Sequence, residues 1–152
     1  FPVQPQKSTK KSLVSHLSDP ALSGSETILI VEDEADVNYF LETILHSHGY
    51  QVVTAHDHNQ ALARFKAQAD KIDLVFSDMG LPKVDGIATC AEMKRLKPEL
   101  PVVISSGYPP GKFQGRMDAL GVDAFMPKPF NTHAILECVR KILDGAKVAH
   151  PV

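Results

Sequence analysis

Four polar clusters in this 152-residue chain each follow a short apolar run: Glu32-Asp33-Glu34, Asp78, Ser105-Ser106-Gly107 and Lys128-Pro129. Carboxylates brought close together repel unless a cation lies among them, and a site offering only oxygen ligands favours Mg2+ over zinc or copper. A lysine facing such acids can pair with a carboxylate or with an added phosphate. Taken singly, each residue has an ordinary explanation. Glu32, Glu34 and Asp36 suit the first turn of a helix, whose dipole attracts acids. Asp78 suits a turn before Gly80 and Pro82, Ser106 a cap, and Lys128 a solvated charge. Their shared position after apolar runs is what argues for one site.

The runs span residues 28–31, 51–54, 72–76, 102–104 and 122–125. They are short and rich in β-branched or aromatic side chains, as strands buried on both faces are. Between them the apolar period changes to that of a helix. Val37, Phe40, Leu41, Ile44 and Leu45 form one stripe that Gly49 can end. Ala61, Leu62, Phe65 and Ala69 form a second, and Ile87, Cys90 and Ala91 begin a third. A short fourth helix is expected near Gln114–Leu120, where Gly111 and Gly115 limit its length, and Ile135, Cys138, Val139, Ile142 and Leu143 form the last after a Thr132 cap. Five strand–helix units in alternation predict an α/β fold, a doubly wound five-stranded parallel sheet with helices on both faces. In such a sheet functional groups gather at the carboxyl ends of the strands, where the four polar clusters fall.

Composition narrows the function. Residues 1–26 hold three prolines, six serines and few large apolar side chains, so they are expected to be a flexible linker, with at most a short helix at 12–17. One folded domain is expected over 27–146 and a tail over 147–152. A net charge of −2 gives no overall pull toward nucleic acid, and no apolar run is long enough to cross a membrane. Cys90 and Cys138 fall on expected core faces, which favours reduced thiols and a cytoplasmic setting. His46, His48, His56 and His58 are read as surface residues at a helix end and in a loop, and 107–111 as a strand-to-helix turn.

The stretches Ile30-Val31-Glu32-Asp33-Glu34, Asp78-Met79-Gly80-Leu81-Pro82 with Asp85-Gly86, Ser106-Gly107-Tyr108 and Phe125-Met126-Pro127-Lys128-Pro129-Phe130 together resemble the response-regulator receiver domain. The separations, 28 residues from Asp78 to Ser106 and 22 from Ser106 to Lys128, are similar to that family's. The resemblance implies a flavodoxin-like receiver fold and a phosphorelay role. It implies that Asp78 accepts a phosphoryl group from a histidine kinase or histidine phosphotransfer domain. It makes Glu32 and Asp33 the acidic pair that holds Mg2+, with Asp78 and the backbone carbonyl of Gly80 as further ligands. Ser106 and Lys128 would bind phosphoryl oxygens, and Ser106 with Phe125 would form the switch that reshapes a fourth-helix, fifth-strand and fifth-helix face for a downstream protein. Glu32 stands where Asp is commoner, and Ser106 where Thr is. Such a domain catalyses only its own phosphorylation and dephosphorylation.

Two other readings compete. A phosphohydrolase of the haloacid dehalogenase type also combines Asp, Ser or Thr, Lys and Mg2+, but would use Asp33 as nucleophile and needs Asp-x-Asp, which Asp33-Glu34-Ala35 breaks. A degenerate receiver acting only as a docking module would tend to lose the acceptor or the lysine. After Lys128 too few residues follow for a helix-turn-helix domain. The opening Phe1-Pro2-Val3 resembles the closing strand of a histidine-kinase ATP-binding domain, which implies a receiver at the carboxyl end of a hybrid sensor kinase.

Overall fold

The computed structural model describes residues 20–145; the helix expected at 12–17 and the tail expected at 147–152 lie outside them. Five strands, β1 (Thr27–Val31), β2 (Gln51–Ala55), β3 (Ile72–Asp78), β4 (Val102–Ser106) and β5 (Ala124–Pro127), alternate with five helices. These are α1 (Ala35–Ser47), α2 (His58–Gln68), α3 (Gly86–Leu96), α4 (Gln114–Leu120) and α5 (Thr132–Leu143). The strands are all parallel in the order β2-β1-β3-β4-β5, so the doubly wound sheet is as expected. Strand order reverses between β1 and β3, and a crevice opens above their carboxyl ends.

Alternation along each strand feeds two separate cores. Ile28 and Ile30 pack with Leu41 and Leu45 of α1 and Ile135 and Val139 of α5. Leu29 and Val31 face the other way, toward Phe65 of α2, Met93 of α3 and Met117 of α4. These four of the five β1 side chains are buried, and each contributes roughly 1.5–3 kcal/mol. Cys90 and Cys138 are free and buried, one in each core.

Several local expectations shift. Phe40 is 39% exposed, and the inner face of α1 is taken by Asn38, Leu41, Ile44 and Leu45. Ala91 is only half-buried, because Thr89 and Met93 share the inner face of α3 with Cys90. The cap of α5 is Asn131, whose Oδ1 accepts from the Ala134 N–H, so Thr132 is already helical. β5 begins two residues late because the Val122 N–H still closes α4 on the Met117 carbonyl. It runs on to Pro127, which is tolerated because this strand is paired on one side only. His48 is buried rather than at the surface, and half-buried His58 opens α2 with its ring between Thr89 and Glu92. Gly49 ends α1 with a φ of 94°, and a side chain there would strike the Gly24 carbonyl.

The linker boundary expected at residue 26 falls inside ordered packing. Leu22 is buried in the first core, and the Gly24 N–H donates to the His48 carbonyl. Arg140 of α5 clasps this segment: it donates to the Ser23 carbonyl at 3.0 Å, to Tyr50 Oη at 3.1 Å and to both carboxylate oxygens of Glu26 at 2.6 and 3.1 Å. Arg140→Ala is expected to lower unfolding free energy by about 2 kcal/mol, as loss of charged hydrogen bonds does, read from the urea midpoint. The hydrogen bond from Arg140 holds the Glu26 carboxyl below its ordinary range. A depressed carboxyl contributes stability above its unfolded pKa and loses it as pH falls through the folded value. The gap between wild type and Arg140→Ala should therefore narrow as pH falls through the folded Glu26 value, leaving the part that the Ser23 and Tyr50 bonds supply.

Candidate functional site

Asp78 is the last residue of β3, inside the strand rather than after it, paired with Ser105 of β4 and 7% exposed. Gly86 lies against it so closely that a side chain would collide with the Asp78 carbonyl, which fixes glycine at that position. Glu32, the first residue past β1, is 1% exposed. Its N–H donates to the Ala55 carbonyl, and its Oε2 accepts from the Glu34 N–H at 3.0 Å. Asp33 is exposed on the same turn. One carboxylate oxygen from each of Glu32, Asp33 and Asp78 lies within 4.8 Å of the others.

Lys128 follows β5 and reaches across the crevice. Its N–H donates to the Ser106 carbonyl, and its Nζ lies 2.9 Å from Glu32 Oε1, 3.2 Å from Asp78 Oδ1 and 3.5 Å from Glu34 Oε1. Burial raises the Asp78 pKa against the opposing pull of Lys128, and burial likewise raises that of Glu32. On Lys128 burial acts downward, but the hydrogen bond to Glu32 and the charges of Asp78 and Glu32 outweigh it, so the net shift is upward. The ammonium therefore stays charged while the acids strain against their burial and one another.

The other expected residues are placed less uniformly. Gly80 lies beside the acceptor, where a Cβ would stand 3.6 Å from Asp78 Oδ2. Ser106 ends β4, 5% exposed, with its Oγ accepting from the Tyr108 N–H at 3.0 Å. Phe125 is not brought into the charged group. It lies in the second core, 4% exposed, with its ring 6.2 Å from that of Phe113. The sequence reading gave no role to Glu34 as a partner of Lys128, nor to Asn38. The acidic run 32–34 signalled the first; nothing apolar-periodic could signal the second.

The donor set fits a small hard dication. It consists of oxygens alone, carboxylates outnumber the one ammonium, and the buried Glu32 Oε1 has no hydrogen bond of good geometry, only the ammonium beside it. Asp33, the nucleophile of the dehalogenase-type reading, is exposed, and Lys128 reaches Glu32, Glu34 and Asp78 instead.

A family model described as the response regulator receiver domain matches residues 28–140. The alkaline phosphatase synthesis transcriptional regulatory protein PhoP of Bacillus subtilis is 33% identical over 127 residues, covering 84% of this chain and 52% of that protein. The sensor kinase CckA of Brucella abortus is 32% identical over 123 residues, covering 81% of this chain but 13% of that protein. The chain thus spans about half the length of the Bacillus subtilis regulator, and far less of the kinase. A CheY-like response regulator receiver domain protein of Methanospirillum hungatei superposes with a TM-score of 0.73 at 27% identity, covering 80% of this chain and 95% of that one.

Proposed function

This chain belongs to the response regulator receiver family, and from that premise we propose that it is a phospho-accepting switch whose acceptor is Asp78. The observation that carries this reading is the convergence of Glu32, Asp33 and Asp78 beside the Lys128 ammonium. One Asp78 carboxylate oxygen forms the new P–O bond as the P–N bond to a donor imidazole breaks, and the bonding pair returns to the ring nitrogen. A carboxylate needs no base to attack, so positioning and charge neutralisation are what the site must provide. Glu32, Asp33, Asp78 and the Gly80 carbonyl would hold Mg2+, which supplies neutralising charge to the phosphoryl oxygens. Lys128 and Ser106 bind the remaining oxygens. The test is incubation with a small acyl phosphate and Mg2+, followed by mapping of the labelled residue, with Asp78 expected as the only one.

The donor docks beside the acceptor. An apolar hollow of about 510 Å3, lined by Val37, Phe40, Pro129 and Phe130, borders Lys128 and would seat a helix of a histidine kinase or phosphotransfer domain. The face formed by α4, β5 and α5 is the outlet to a downstream protein. The switch starts from a Phe125 ring already inside, so the group that must move first is the Ser106 hydroxyl, which leaves the Tyr108 N–H for the phosphoryl group. Hydrogen exchange with a beryllofluoride phosphoryl mimic should show faster exchange at Tyr108 and altered protection through α4. Equal exchange across residues 107–125 in both states rejects the switch.

The two buried free thiols fit a reducing compartment, and the cytoplasm is the setting this reading requires. None of the described helices is long and apolar enough to cross a membrane. The likeness to a stretch of the Brucella abortus sensor kinase supports a hybrid kinase as the parent, in which this reading puts the receiver at the carboxyl end. That placement requires kinase-coding sequence upstream of Phe1 in the gene.

A further inference from the structure

One position on the inner face of α1 is polar. Asn38 is 3% exposed, and its Nδ2 donates to the Glu32 carbonyl at 3.0 Å and the Ala55 carbonyl at 3.1 Å. Those carbonyls lie at the carboxyl ends of β1 and β2. The ladders of β1 end at Val31, opposite Ala55 of β2 and Ser77 of β3, so the Glu32 carbonyl lies past the last paired residue on either side. A buried carbonyl there needs a donor, and α1 returns one on an inward side chain. The Asn38 N–H also donates to the Glu34 carbonyl at 2.9 Å. That backbone bond is the first turn of α1, so the grip particular to asparagine is the side chain's hold on the Glu32 and Ala55 carbonyls.

We propose that Asn38 is the positioning residue of the acidic turn, holding the Glu32–Asp33 peptide so that both carboxylates converge on Asp78. This rests on reading the site as a Mg2+-dependent phosphoacceptor. The gripped carbonyl belongs to the rigid peptide plane joining Glu32 to Asp33, so turning that plane swings the Asp33 side chain. Packing cannot hold Asp33, which is exposed, whereas Glu32 keeps a second anchor in the Glu34 N–H. Asn38 touches no carboxylate oxygen in these bonds. It acts through the backbone, as outer partners of metal ligands do.

Calorimetric titration with Mg2+ tests this on wild type, Asn38→Ala and Asn38→Ser, the serine keeping one donor on a shorter arm. Ile142→Val, which removes a buried methyl from α5, is the control for general loss of stability. Asn38→Ala should bind Mg2+ about tenfold more weakly, Asn38→Ser by an intermediate factor, and Ile142→Val as wild type does. The half-saturating Mg2+ for labelling by acyl phosphate should rise by the same factors, with the rate at saturating metal kept within about twofold. If Asn38→Ala does not fold, the serine variant is read in the same way. Wild-type Mg2+ affinity in the folded Asn38 variants overturns the positioning role alone. Absence of Mg2+ binding by wild type overturns it together with the phosphoacceptor reading.

Discussion

Asp78→Asn is expected to abolish metal-dependent labelling by a small acyl phosphate, a loss of at least about a thousandfold, while making the metal-free protein more stable. The first effect follows from the nucleophile: a carboxamide oxygen is neutral and does not form the acyl phosphate. The second follows from the charges. Asp78 and Glu32 are both buried acids whose pKa values burial raises, and among the described residues Lys128 is the one cation that reaches both. A carboxyl that titrates higher folded than unfolded contributes most below its unfolded pKa, and that contribution is lost as pH rises through the folded value. At neutral pH the Asp78 charge is therefore a cost, and asparagine removes it without changing the shape of the side chain. The gain should be about 1 kcal/mol, read as a higher urea midpoint in chelator, and should shrink when Mg2+ is added. Labelling that survives in Asp78→Asn, or that moves to Asp33, defeats the assignment of the acceptor.

How much of this was legible in the sequence follows from what each signal measures. Short β-branched apolar runs announce strands, so 28–31 and 51–54 mapped nearly residue for residue onto the buried β1 and the half-buried edge strand β2. Helices announced their apolar stripes, and a stripe records only apolar residues. Counting them led to Phe40 as an inner residue and passed over Asn38, whose burial depends on two carbonyls contributed by other elements. The clasp of Arg140 on Glu26 joins residues 114 apart, so composition read 20–26 as linker although the fold holds it. The polar residues of the crevice were legible because topology places every strand's carboxyl end at one edge. Which of them touch was not: Lys128 pairs with Glu34 as well as with Glu32 and Asp78, while Phe125 lies apart in the core. Strand ends are set by one-dimensional pattern, and side-chain contacts by the register of elements far apart in sequence.

Lys128→Ala should produce the opposite pair of effects on stability and metal. Nζ lies within 3.2 Å of oxygens of both Glu32 and Asp78, so it occupies the electrostatic role that a dication would share. Removing it leaves two buried carboxylates without their cation. The metal-free protein should lose about 2 kcal/mol, less than for a fully buried pair because Lys128 is partly exposed. Mg2+ should then bind at least as tightly as in wild type, since no ammonium competes for the same oxygens, and should restore more stability than it gives wild type. Phosphoryl transfer should nevertheless fall by about 10²–10³-fold, because the charge that meets the phosphoryl oxygens has gone and Mg2+ replaces it only on the acidic side. The two results separate neutralisation of the resting acids from stabilisation of the transferring group. Thermal melts with and without Mg2+, run beside labelling rates at saturating metal, read both. Unchanged labelling in Lys128→Ala, or loss of Mg2+ affinity, would place the lysine outside the transfer step and leave it as a structural counter-ion only.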